Sequence, residues 1–227
     1  MDFAYLMYSG LYLIPWLILY LIRKDLRKQM IWASMITAIG GLFCERYWYT
    51  QDWVTPLTIT KTLVGVEDLV LGWGAGGIGA VLYKEIFRKD DYKYIKYHHR
   101  QFLILPIIIG FILADMLFRH FGYFSFYANL LGFGLIVAVI FSIRRDLIRE
   151  AIGGGFLLVV VSLPIYWLTF HFFPGWRESY WNMTNISKLY FLKIPYEDIV
   201  WWFLVGMILS IVYDYTHGMK VRKEARR

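Results

Sequence analysis

Apolar residues in this chain come in long blocks, not in short alternating runs. Seven blocks, at about 3–22, 30–48, 63–83, 101–118, 124–143, 151–173 and 195–215, are separated by short polar segments. Each is close to the roughly 20 residues that an α-helix needs to cross a hydrocarbon core. The pattern predicts an all-α integral membrane protein with seven transmembrane helices in one membrane domain, 1–227. With almost no residues left over, any chemistry is expected inside the bilayer or at its edge.

The blocks repeat. Ile22-Arg-Lys-Asp-Leu-Arg-Lys returns as Ile143-Arg-Arg-Asp-Leu-Ile-Arg, 121 residues on. Gly65-Val-Glu-Asp returns as Pro195-Tyr-Glu-Asp, and Gly76, Ile78 and Tyr83 return as Gly206, Ile208 and Tyr213, all shifted by 130. This predicts a 3+1+3 plan: repeat one at 1–90, a linking helix at 100–120 and repeat two at 121–227. A single linking span gives both repeats the same orientation in the membrane, so they are parallel and not inverted.

Composition agrees, with 59% hydrophobic, 20% aromatic and only 18% charged residues. The net charge of +7 would suggest nucleic acid in a soluble protein. Here the basic residues have another pattern: Arg23 to Lys28, Lys84 to Arg100, Arg144 to Arg149 and Lys220 to Arg227 all fall on one side of seven spans. By the positive-inside rule this multi-pass protein of the cell membrane has its N-terminus outside and its C-terminus in the cytoplasm, and nucleic acid is excluded as a partner. Asp2 without a basic n-region argues that the first block is a retained helix and not a cleaved signal peptide. Cys44 is the only cysteine, so no internal disulfide forms. Asn182 and Asn185 match the glycosylation acceptor pattern on the outer side.

Against this apolar background the acidic pairs Glu67-Asp68 and Glu197-Asp198 stand out, each a turn inside a long apolar block. A carboxylate in hydrocarbon costs several kcal/mol and marks a functional site unless another reason holds it there. The other reason is capping, because acids in a first turn complement the helix dipole. Repetition at intramembrane depth is more than capping requires. Trp201 and Trp202 lie four residues beyond Glu197 and Asp198, on the same helical faces. Apolar surroundings of this kind suit a protonated carboxyl acting as a general acid beside an ionised partner. Aromatic faces can stabilise a cation or simply belong to the interfacial belt. Trp73 is the tryptophan of the first acidic block. Asp115 and Arg119 are spaced for an ion pair on the linking helix, and Glu45 and Arg46 end the second block near the same level.

Other motifs add little. Gly74-Ala-Gly-Gly-Ile-Gly79 matches a dinucleotide fingerprint by letter, but no strand precedes it, and Gly72-x-x-x-Gly76 reads as close helix packing. The five histidines form no metal-ligand spacing, so neither cofactor nor metal is expected.

Pro195-Tyr-Glu197-Asp198 followed by Trp-Trp-Phe, with Gly65-Val-Glu67-Asp68 in the first repeat, resembles the duplicated Pro-x-Glu-Glu/Asp signature of the membrane-embedded lycopene cyclase family. Tryptophans upstream, Trp48 or Trp53 and Trp176 or Trp181, resemble that family's aromatic approach to the motif. Gly65 departs from the family's proline, so the second site is expected to be the better formed. The resemblance implies acid-catalysed, non-redox cyclisation of the ψ end groups of lycopene or a related acyclic carotene to ionone rings, through a carbocation. It implies Glu67 and Glu197 as acids or cation stabilisers and Asp68 and Asp198 as their partners. It implies Trp73, Trp201, Trp202, Asp115 and Pro195 as the surroundings of the substrate. Its partners would be a long-chain carotene and membrane lipid, with other enzymes of the carotenoid pathway or further copies of the chain as candidates.

Two alternatives belong to other classes. Small sugar transporters of the SWEET type share the 3+1+3 plan, but they rely on matched prolines, and Pro15, Pro106 and Pro164 have no counterparts at either shift. A retinal protein needs a lysine in its last helix, and 196–215 contains none. A carotenoid end-group hydratase would begin with the same protonation and then admit water.

Overall fold

A computed structural model gives the fold and describes residues 3–47, 58–93, 104–180 and 187–223. The first span is helical over α1 (Ala4–Leu11) and α2 (Leu13–Ile22), interrupted at Tyr12. Pro15 explains the interruption, because it has no N–H to give to the Leu11 carbonyl. Then follow α3 (Arg27–Tyr47), α4 (Val66–Ile86), β1 (Lys89–Lys93), α5 (Leu105–Arg119), α6 (Ser125–Ile143) and α7 (Ile148–Phe172). A short α8 (Trp176–Tyr180) and a hairpin of β2 (Tyr190–Phe191) and β3 (Ile194–Pro195) lead into α9 (Tyr196–His217) and β4 (Met219–Lys223).

Among the described residues, four spans are long and apolar enough to cross a membrane: Ala4–Ile22, Ser125–Ile143, Arg145–Phe172 and Tyr196–His217. This is an all-α membrane protein with two small strand pairs. Exposed aliphatic residues such as Leu17, Ile18, Ile112 and Val160 cover its outside, as a hydrocarbon solvent requires. Helix α5 is 15 residues long, and α4 carries acids at its start and Lys84 and Glu85 at its end.

Helices α4 and α9 form the centre. α3 packs along α4, α7 along α9, and α4 and α9 touch each other. Glycine permits the α3–α4 approach: a Cβ at Gly72 would sit 2.7 Å from both the Ala38 Cα and the Thr37 carbonyl oxygen. The small-residue spacing read from sequence is therefore a packing device. Gly72→Leu is expected to destabilise the protein by about 1–3 kcal/mol through overpacking. Thermal unfolding in detergent checks it, and an unchanged midpoint would contradict the close approach.

The ends of α4 and α9 that are remote from the acidic pairs hold a paired arrangement. Strand β1 pairs antiparallel with β4, with Asp91 opposite Val221. Arg23 grips Asp25 with two hydrogen bonds of 2.9 and 2.7 Å and reaches the Lys89 carbonyl at 2.7 Å. Arg144 grips Asp146 with two of 2.8 Å and reaches the Met219 carbonyl at 2.7 Å. The hydrogen bonds from Arg23 hold the Asp25 carboxyl below the usual carboxylate range. These forks recur at the sequence repeat's own shifts.

Between them lies a fully buried polar group. The Lys84 ammonium donates to Gln29 Oε1 at 2.9 Å and to Asp214 Oδ1 at 2.7 Å, and lies 3.7 Å from Glu150 Oε1. Gln29 and Glu150 are 121 apart, and Lys84 and Asp214 are 130 apart, so each pair occupies equivalent positions of the two repeats. Buried charge tolerates such a setting only when it is paired and hydrogen-bonded.

Candidate active site

Each acidic pair begins its helix, α4 or α9, and the members of a pair point to different surroundings. Glu67 Oε1 accepts the Ile59 N–H at 2.6 Å, and Glu197 Oε1 accepts the Ser187 N–H at 2.5 Å. Both glutamates therefore tie down the chain that precedes their helices. Glu67 Oε2 and Glu197 Oε2 are buried and have no hydrogen-bond partner among the described residues.

The aspartates are held by tyrosines. Tyr5 of α1 donates its hydroxyl to Asp68, and Tyr166 of α7 donates to Asp198. Asp68 Oδ2 also accepts the Gly65 N–H at 2.7 Å. That bond explains the departure from proline at 65: proline has no N–H to give, and the Gly65 φ of −139° lies outside proline's range. A Cβ at Gly65 would also lie 2.6 Å from Glu67 Oε2 and from the Thr58 Cβ. At the matching position Pro195 offers Asp198 no N–H. The two sites share a plan and differ in their donors.

Between α3, α4, α5, α6 and α9 runs an apolar cavity of about 540 Å³. Its wall follows α9 from Trp201 to His217, a rise of about 24 Å at 1.5 Å per residue. That approaches the ~30 Å thickness of a hydrocarbon core. Ile36 and Ile104 line it and are each 51% exposed, so the cavity opens through an apolar rim. Asp68 and Tyr5 supply its acidic end.

Of the residues singled out in the sequence, Asp68, Trp201 and Trp202 meet at this cavity. Trp201 and Trp202 pack edge to face, with ring centroids 5.0 Å apart. Trp202 stacks on Tyr12 at 5.3 Å, and its Nε1–H donates to the Tyr166 hydroxyl at 3.1 Å. Asp198 therefore lies behind Trp202, linked to it through Tyr166, while Glu67, Glu197 and Pro195 are buried away from the cavity wall. Trp73 packs against Trp16 at 5.8 Å, outside the lining. Asp115 forms a 2.6 Å ion pair with Arg119, and both side chains are more than 40% exposed. Trp176 is buried against Tyr8 at 5.3 Å. Trp48, Trp53, Trp181, His98, His99, Asn182 and Asn185 lie outside the described residues.

The sequence reading missed the tyrosines. Tyr5, Tyr8, Tyr12 and Tyr166 form a buried aromatic group, with Tyr8 and Tyr166 ring centroids 4.8 Å apart. The spacing of Tyr5, Tyr8 and Tyr12 along one helical face was a signal, but nothing local shows that the face meets α4 and α7. The arrangement puts a carboxyl group and aromatic faces in one largely apolar space.

No curated protein and no solved structure matches the chain. A family model described as lycopene cyclase matches residues 123–216, which run from just before α6 almost to the end of α9 and include Pro195, Glu197 and Asp198. Over those residues, less than half of the chain, this membrane protein is similar to a lycopene cyclase domain.

Proposed function

We propose that the chain is a lycopene cyclase that isomerises acyclic carotene ψ end groups to ionone rings, in an intramolecular reaction without redox change. The observation that carries this reading is the Asp68 carboxyl at one end of a long, largely apolar cavity walled by Trp201 and Trp202. A linear hydrocarbon fits such a space, and the Asp68 carboxyl lies at the end walled by Trp201 and Trp202, with His217 at the other. The seven spans form two parallel repeats around a linking helix, with the N-terminus outside and the basic ends in the cytoplasm. The substrate enters from the lipid through the apolar rim.

In this reading the protonated Asp68 carboxyl gives its proton to the terminal double bond, leaving a tertiary cation. The π electrons of the neighbouring double bond close the ring and move the cation to the methyl-bearing ring carbon. A C–H bond next to it then breaks, its electrons form the ring double bond, and the proton returns to the Asp68 carboxylate. Product and substrate have the same mass, and the enzyme ends as it began. Trp201 and Trp202 face the cation, and the apolar wall excludes the water that would trap it. Glu67, Glu197 and Asp198 belong to the acidic framework around this step.

Expression in a bacterial host that accumulates lycopene tests the reading. Pigments of unchanged mass and shorter-wavelength absorption are the expected result. A hydroxylated product would indicate a hydratase, and unchanged lycopene with the chain present in the membrane would contradict cyclisation of this carotene.

A further inference from the structure

Ring closure leaves a choice that the cyclase reading alone does not make. The ring cation has protons on three neighbouring carbons, and the one removed decides the product. Loss from the ring carbon that bears the polyene gives the β ring, loss from the ring methylene gives the ε ring, and loss from the methyl group gives the γ ring. All three exits have the same atoms and the same charge balance. The position of the base relative to the cation selects among them.

We propose that Tyr5 is a positioning residue that fixes ring type by holding the Asp68 carboxylate in one orientation, and that Asp198 with Tyr166 does not share this task. The inference rests on the cyclase reading and concerns its last step. Asp68 Oδ1 accepts from the Tyr5 hydroxyl, and Oδ2 accepts from the Gly65 N–H at 2.7 Å. With a donor on each oxygen, the carboxylate cannot turn about its χ2 axis without breaking a charge-assisted hydrogen bond. Both donors come from fixed structure. Tyr5 is 3% exposed on a helix packed against α4 and α7, and Gly65 is the residue immediately before α4. Both Tyr5 and Asp68 line the cavity.

The second repeat places its aspartate differently. Asp198 also accepts from a tyrosine, but it lies behind Trp202, whose indole N–H is bound to that same tyrosine hydroxyl. Pro195, at the position of Gly65, has no N–H to give. Tyr166 also has a different origin, on α7, whereas Tyr5 is on α1. The tyrosines are thus outside the repeat, and only the Tyr5 pair borders the space where a substrate end could lie.

The test is Tyr5→Phe in the full chain, expressed in the lycopene-accumulating host, with the β, ε and γ end groups separated by chromatography and identified by absorption and mass spectra. Tyr166→Phe serves as the matched comparison. Loss of the Tyr5 hydroxyl is expected to change the ratio of ring types by about tenfold, the factor that about 1.4 kcal/mol of relative barrier gives. Tyr166→Phe is expected to keep the original ratio, whatever its effect on yield. A Tyr5→Phe chain that makes less product with the original ratio overturns the proposal, because a purely structural role lowers yield without redirecting the proton. An equal change of ratio from Tyr166→Phe overturns it as well. If the unsubstituted chain forms no cyclic product, the cyclase reading itself fails, which is a different result from an unchanged ratio.

Discussion

Asp68→Asn is expected to reduce cyclisation by about 10²–10⁴-fold, the range that removal of a general acid–base group gives. Asparagine keeps the shape and can still accept from Tyr5, so the helix start should survive. It can neither give a carboxyl proton nor take the ring proton back. Its amide nitrogen also cannot accept the Gly65 N–H, so one orientation leaves that donor without its partner. Product formed per unit of membrane-inserted chain is the measurement. Retention of more than about a tenth of the activity would remove Asp68 from the chemistry, because that loss is smaller than proton transfer is worth.

The second large effect is on stability. Lys84→Met is expected to destabilise the protein by about 3–5 kcal/mol, because it takes an ammonium from between two buried carboxyl groups. Lys84, Glu150 and Asp214 are each at most 1% exposed, so water cannot replace what the lysine supplies. At roughly 2–4 °C per kcal/mol for a chain of this size, the thermal midpoint in detergent should fall by about 6–20 °C. Lys84→Met combined with Glu150→Gln and Asp214→Asn should recover much of that loss, since no lone charge then remains. A single variant as stable as the original would show that the ammonium does not hold the repeats together. Recovery in the triple variant would separate the cost of buried charge from simple loss of packing.

This group also shows what a repeat makes legible and what it hides. The shifts of 121 and 130 place Gln29 opposite Glu150 and Lys84 opposite Asp214 in equivalent positions. An oppositely charged pair at positions related by the 130-residue shift was available to sequence reasoning. It passed unnoticed because Lys84 also reads as one more cation of a basic cytoplasmic segment. The strand pair β1–β4 was missed for a related reason: seven of its ten residues are charged, and both strands are only five residues long. Their pairing comes from the Arg23 and Arg144 forks and from the adjacency of α4 and α9.

By itself the sequence determined the membrane environment, because blocks of apolar residues near 20 long have few other stable solutions. It also displayed the recurring segments and the acidic pairs set into apolar blocks. Those properties are local or periodic along the chain. Only the tertiary structure decided which acid meets an open space, because that depends on helix rotation and on gaps between α3, α5 and α9 that no linear pattern records. The side chains of Glu67 and Asp68 are adjacent in sequence, yet one binds a loop amide and the other reaches the cavity. One helical step of about 100° separates their directions. Tertiary packing likewise decided the tyrosine partners. Tyr5 and Asp68 are 63 residues apart, and Tyr166 and Asp198 are 32 apart, so their contact arises from how α1 and α7 are packed and not from either segment alone.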